Sequence, residues 1–151
     1  MGSTAWGNSW KGFEKVTGHG DIMAVPLVLD TNSLQDRDFR FWLENYHGRK
    51  VIPAVAYTEL CVYFIRRKNR TTEDVDALLR KMGVEIDWYR HGQAKKAAEM
   101  GAKGDFSSKA RDFMIAAHAY TAPWILVTYN VDDFDYLERR VMTPRDVMRA
   151  H

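Results

Sequence analysis

The sequence predicts an α/β domain: a parallel sheet of four to five strands with helices on both faces. Three observations carry that expectation. Short apolar runs alternate with stretches of helical periodicity along most of the chain. No internal repeat or low-complexity block interrupts the alternation. The 151 residues, 46% of them hydrophobic, suit one domain with a full core. Strands that alternate with helices imply βαβ units, and right-handed crossovers bring the strand C-terminal ends to one edge, where ligands and chemistry collect.

The elements follow in order. Residues 1–24 read as an N-terminal extension, rich in Gly, Ser and Thr and carrying Trp6, Trp10 and Phe13. Its aromatics fit a partly ordered arm, and its small residues fit a loose leader. The domain proper is expected over 25–151. Val25–Leu29 is a buried strand, and Asp36–Tyr46 a helix with Phe39, Trp42, Leu43 and Tyr46 at helical spacing. Val51–Ile52 is a second strand, stopped by Pro53, and Ala54–Lys68 a second helix. Thr71 with Glu73 and Asp74 opens a third helix that stops at Gly83. Val84–Ile86 is a third strand. Helices are expected over Trp88–Met100 and Ser108–Tyr120. After Pro123 come a fourth strand, Trp124–Thr128, a helical turn over Val131–Leu137, an edge strand at Val141–Met142, and a short terminal helix opened by Thr143 and Pro144.

Composition narrows the class. Charged residues make up 28% and the formal net charge is +2, with a sequence pI near 8.7, which permits a polyanionic partner without requiring one. The single cysteine, Cys61, supports neither a disulfide framework nor a thiolate metal site. The sequence contains no apolar run long enough to span a membrane and no compact apolar signal core. Together these point to a cytoplasmic protein.

Four acids stand out by position. Asp30 closes the first strand in "VPLVLDTNSL"; an acid there is common in turns and helix caps, and it also lies on the edge where sites form. Glu59, in "AVAYTELCVYF", has Val55, Ala56, Val62 and Tyr63 three and four residues away, so it sits on an apolar helix stripe or at its margin. Asp112, in "KARDFMIAAHAY", precedes Ile115, Ala116 and Ala119 on one helix face; a helix dipole favours an acid there but does not explain its apolar register. In "LVTYNVDDFDYL" a strand ends at Thr128, and Asn130, Asp132, Asp133 and Asp135 follow; Asp132 and Asp135 read as acids of a surface turn. In a parallel sheet these positions can converge on one edge. Carboxylates that converge repel one another unless a cation lies between them. Hard divalent ions take such oxygen ligands and can activate water against phosphorus. No Cys/His set suits zinc, and His118 reads as a packed or capping residue.

"LVLDTNSL", "IPAVAYTEL", "ARDFMIAAHA" and "LVTYNVDDF" together resemble the PIN-domain ribonucleases, and among them the VapC-like toxins of type II toxin–antitoxin systems, over about Val25 to Asp146. The resemblance implies a three-layer α/β/α fold and cleavage of RNA with Mg²⁺ or Mn²⁺. It assigns Asp30, Glu59, Asp112 and Asp133 as the metal-binding catalytic acids, with Asn32, Thr128 and Asn130 in support. Asp132, next to Asp133, and Asp105 leave the fourth acid open. The resemblance further implies a small antitoxin partner, which often places a basic side chain among the acids, and a homodimer. Arg111, Lys109, Arg66 and Arg67 are the candidates for contact with RNA phosphates. Trp88 and Tyr89 could stack bases, but the core is the better place for them. Two rivals stand beside the toxin: a nuclease of RNA maturation or quality control, and a non-catalytic RNA-binding module, against which the complete acid set argues. A haloacid-dehalogenase-type phosphatase would need a second acid two residues after Asp30, where this chain has Asn32.

Overall fold

Three leucine and valine side chains with no exposed surface make the middle strand of the molecule. In the computed structural model, which describes residues 24–151, β1 (Leu27–Leu29) is buried at every position. The extension expected over 1–24 therefore lies, except for its last residue, outside the described residues. The sheet also contains β2 (Lys50–Pro53), β3 (Glu85–Asp87), β4 (Ile125–Val127) and β5 (Val141–Met142). It is five-stranded, in the order β3-β2-β1-β4-β5, and every pairing is parallel. Leu27 lies opposite both Lys50 and Ile125, and Leu29 opposite Val127. A strand buried on both faces reads as an uninterrupted apolar run, which is why β1 carries no alternation.

Strand order runs one way from β1 to β3 and the other way from β4 to β5. Right-handed crossovers on such a sheet place connecting helices on both faces, giving three layers, α/β/α, as expected. The reversal of direction falls between β1 and β4. The C-terminal ends of those two strands, at Asp30 and Thr128, therefore flank the crevice at which open α/β sheets bind ligands.

The helices start and stop for local reasons. A 3₁₀ turn over Thr31–Gln35 leads into α1 (Arg37–Leu43), whose Asp36 cap accepts from the backbone N–H groups of Asp38 and Phe39. Helix α2 (Ala54–Lys68) springs directly from β2 and ends at Asn69, a left-handed residue at φ 53°. Helix α3 (Thr72–Met82) has a reciprocal cap between Thr71 and Asp74 and ends at Gly83, whose φ of 72° suits glycine. Helix α4 covers His91–Ala102. Helix α5 (Phe106–Ala116) is kinked at Lys109 and continues as a 3₁₀ turn to Ala119. Residues Val131–Arg140 form 3₁₀ turns, and α6 (Pro144–Ala150) opens with Thr143 as its cap.

Two expectations need correction. The helix expected from Trp88 starts at His91, because the Gln93 side chain takes the Arg90 backbone N–H and so fixes the first turn there. Trp88 consequently falls in the link after β3 and is 59% exposed, so it is not a core residue. Tyr89 does pack, against the small cluster of Ala97, Phe113 and Ala117. The helix expected over 108–120 begins two residues earlier and tightens to 3₁₀ geometry after Ala116. Among the described residues no helix is long and apolar enough to cross a membrane.

Candidate active site

Asp30 is the residue on which the site is built. Its backbone N–H continues the β1–β4 ladder to the Val127 carbonyl at 3.0 Å. This carries the side chain into the interior, where it has no exposed surface. A buried carboxylate must have partners, and each oxygen has them. Oδ1 accepts from the Thr31 backbone N–H at 2.8 Å and from Arg111 Nη2 at 2.5 Å. Oδ2 accepts from the Thr128 hydroxyl at 2.8 Å. The Ser33 hydroxyl, 2.7 Å from the Asp30 carbonyl oxygen, ties down the turn that follows.

Thr128 closes β4 and is fully buried. Besides donating to Asp30, its oxygen accepts from the Asn130 backbone N–H at 3.1 Å and from Asn32 Nδ2 at 3.3 Å. Asn32 Oδ1 accepts the Tyr129 backbone N–H at 3.1 Å. Asn32 therefore clamps the loop after β4 to the turn after β1. Asn130 enters this arrangement through its backbone.

Glu59 arrives from the second turn of α2. Its side chain is partly exposed, so it stands at the margin of the apolar stripe. The Thr31 hydroxyl lies 2.7 Å from Glu59 Oε1. Arg111 grips the same carboxylate, with Nε at 3.1 and 2.9 Å from its two oxygens and Nη2 at 2.6 Å from Oε1. Burial pushes the Glu59 pKa up, but the bonds from Arg111 and Thr31 and the arginine charge outweigh it and leave the pKa below its ordinary value.

Asp112, in α5, is the third acid on the same guanidinium, with Oδ1 at 3.1 Å from Arg111 Nη1. Burial lowers the Arg111 pKa, and the Glu59 and Asp30 carboxylates more than offset this, so the guanidinium is held firmly protonated. The structure thus brings Asp30, Glu59 and Asp112 together on one cation, from positions 53 residues apart between the last two alone.

Asp133 stands apart from that cluster. It is half exposed and pairs with Lys109 at 3.3 Å. It lies on the same side of the molecule, because its partner Lys109 stands three residues before Asp112 in α5. Asp132 is exposed. Asp105 bonds to Ser107 and Ser108 at the start of α5. Arg66 and Arg67 occupy the exposed last turn of α2. That helix leaves the C-terminal edge of the sheet at Pro53, so its last turn is roughly 10 Å further along the axis than Glu59, away from that edge. His118 is buried, with Nδ1 at 2.6 Å from Asp87 Oδ2, a structural pair as its packed position suggested. A cavity of about 550 Å³ lined by Met100, Lys103, Phe113, Tyr120 and Tyr136 contains none of the three converging acids.

Two contributors were not singled out in the sequence. Thr31, inside the Asp-Thr-Asn motif, links Asp30 to Glu59 through its backbone and hydroxyl, and its position between two recognised residues was the available signal. Tyr129 donates its hydroxyl to Asp36, fastening the loop after β4 to the cap of α1; nothing in the local pattern announces that contact.

The oxygen donors suit a hard divalent ion. As they stand, no three His, Cys, Asp or Glu side chains among the described residues are close enough to share one. Their spacing is that of carboxylates around a guanidinium.

A doubly wound parallel sheet with a buried acid at its switch point and two more beside it defines a class of α/β proteins with a carboxylate-lined edge site. The chain belongs to the PIN domain family, whose model matches residues 27–139. No curated protein matches it significantly in sequence. Among solved structures, it is similar in fold to the DNA-bound VapBC complex of Salmonella typhimurium (TM-score 0.61, 20% identity, covering 80% of this chain and 98% of that one). A toxin–antitoxin complex from Klebsiella pneumoniae aligns at TM-score 0.61 and 22% identity, over 78% of this chain and 97% of that one. VapBC-1 of nontypeable Haemophilus influenzae aligns at TM-score 0.57 and 17% identity, over 79% and 98%.

Proposed function

We propose that this chain is a divalent-metal-dependent endoribonuclease acting as the toxin of a toxin–antitoxin pair. The observation that carries the reading is the convergence of Asp30, Glu59 and Asp112 on one cation at the topological switch point. Three acids gathered at one sheet edge are costly to maintain for structure alone. The donor set is all oxygen, which favours Mg²⁺ or Mn²⁺ over zinc.

Asp30 and Asp112 would hold the ion, with Glu59 and Asp133 completing the site. When bound, such an ion supplies positive charge to the phosphoryl oxygens and acidifies water. The chain's own residues do the rest. Thr128, Asn32 and the Thr31 backbone N–H keep Asp30 in one rotamer, and a preoriented carboxylate needs no rearrangement when it binds. Lys109 and Arg111, the cations beside the acids, would meet the phosphate backbone once released from their carboxylate partners. The partner implied by the VapBC-like fold is a small antitoxin, and the assembly a homodimer.

The test is cleavage of total RNA by the wild type and by Asp30→Asn, with and without Mg²⁺ or Mn²⁺, with the cut ends mapped. We expect discrete ends that disappear with chelator and in the variant. A non-catalytic RNA-binding module would bind without cutting. Cleavage that survives both chelator and Asp30→Asn overturns the reading. A short open reading frame immediately upstream would separate a toxin from a maturation enzyme.

A further inference from the structure

Arg111 makes more contacts with the candidate catalytic acids than any other side chain described. Nε faces both oxygens of Glu59, Nη2 bridges Glu59 and Asp30, and Nη1 reaches Asp112. All three of its nitrogens are therefore committed to the carboxylates that would hold a metal ion. On Asp30, Oδ2 accepts from Thr128, and Oδ1 is the oxygen that Arg111 Nη2 meets at 2.5 Å, so an ion drawn to Oδ1 meets the guanidinium there.

We propose that Arg111 is an internal counter-cation that competes with the divalent ion for Asp30, Glu59 and Asp112, so that the site is either closed by its own arginine or loaded with metal. The proposal rests on the metal-dependent reading given above. Two cations drawn to the same carboxylate oxygens repel each other at this distance, so loading favours the departure of the guanidinium. The route is short. The Arg111 side chain is one-third exposed, and its neighbour in sequence, Asp112, keeps it beside the site after it swings outward. Without metal the arginine stops three acids from repelling one another. With metal it is released as a free guanidinium next to the place where a phosphate would bind. Arg111 is thus a positioning residue that sets the metal concentration at which the site fills.

The experiment measures Mn²⁺ binding by calorimetry and by the loss of the free-ion electron paramagnetic resonance signal. It uses wild type, Arg111→Gln, Arg111→Lys and Asp30→Asn. Removing the competitor should tighten Mn²⁺ binding at least about tenfold in Arg111→Gln, or about 1.4 kcal/mol. Arg111→Lys keeps one charge but cannot fork across three carboxylates, so it should fall between wild type and Arg111→Gln. In chelator, Arg111→Gln should melt below wild type, and saturating Mn²⁺ should raise its melting temperature by more. If Arg111→Gln does not fold without metal, the lysine variant carries the comparison. Equal or weaker Mn²⁺ binding in both variants, with Asp30→Asn losing it, overturns the competition and leaves the metal reading standing. Absence of Mn²⁺ binding in wild type and both Arg111 variants overturns both.

Discussion

Replacing Thr128 by valine removes one hydroxyl from a side chain of nearly the same shape in a fully buried position. That hydroxyl donates to Asp30 Oδ2 at 2.8 Å and accepts from two nitrogens. A hydrogen bond to a charged group contributes about 1.5–3 kcal/mol, and leaving the buried partner without a donor costs about 1–3 kcal/mol more. The Asn130 N–H is nearer the surface, and water can take it over. We expect Thr128→Val to lose about 3 kcal/mol, a drop of roughly 10 °C in Tm for a domain of this size. Thr128→Ser keeps the hydroxyl and loses only a methyl, so its cost should be about 1 kcal/mol. In an Asp30→Asn background the cost of valine should fall to about 1 kcal/mol, because the partner no longer carries charge. Urea unfolding of the wild type, the two Thr128 variants, Asp30→Asn and the Asp30→Asn/Thr128→Val double variant in chelator measures these differences. A valine variant within about 0.5 kcal/mol of wild type, or a serine variant as costly as valine, would refute the assignment of Thr128 as the group that satisfies Asp30.

Two other perturbations test the scaffold. Lys50 is buried, its Nζ donating to the Leu43 carbonyl at 2.8 Å, and burial depresses its pKa. A lysine whose folded pKa lies below its unfolded value penalises folding at neutral pH, and the penalty fades as pH rises from the folded to the unfolded value. Lys50→Met should therefore gain about 1 kcal/mol at pH 7 and less near pH 10.5, since the Leu43 carbonyl still receives the Tyr46 N–H at 3.1 Å; a loss at pH 7 in denaturant unfolding counts against this. Asp36 is raised by burial but held lower overall by the Tyr129 hydroxyl and the amides of Phe39 and Asp38. Its stabilisation is complete above the unfolded carboxylate value and is lost as pH falls through the lower folded one. Asp36→Ala should cost about 1 kcal/mol at pH 7 and approach wild type as pH falls through the lowered folded value, and thermal curves that stay parallel throughout acidification would contradict it.

Much of the frame was legible because it rests on local patterns. The uninterrupted run before Asp30 marked a doubly buried strand, and Thr143-Pro144 marked a helix start. Both signals lie within a few residues. Asp30, Glu59 and Asp112 were legible as acids in the wrong register, and the structure places all three on one guanidinium. Arg111 was read as a group for the substrate, because its distance from Glu59 in sequence conceals that the two meet. Trp88 was misplaced because the side chain of Gln93, three residues after Arg90, decides where α4 begins, a choice that hydrophobic spacing does not record. The fourth acid stayed ambiguous in sequence for a related reason. Asp132 and Asp133 differ only in which way a 3₁₀ turn faces them, and the structure pairs Asp133 with Lys109.

The order of the sheet also sets a sequence of events during synthesis. Asp30, at the end of the first strand, leaves the ribosome early, whereas β4 and Thr128 are translated almost a hundred residues later, and β1 is paired on that side only once they arrive. Asp112 and its arginine are made just before. A nascent chain that ends before β4 has all three converging acids and their arginine but not the strand and the Thr128 hydroxyl that seat Asp30. The carboxylate edge of this fold is therefore seated only when synthesis of the chain is nearly complete.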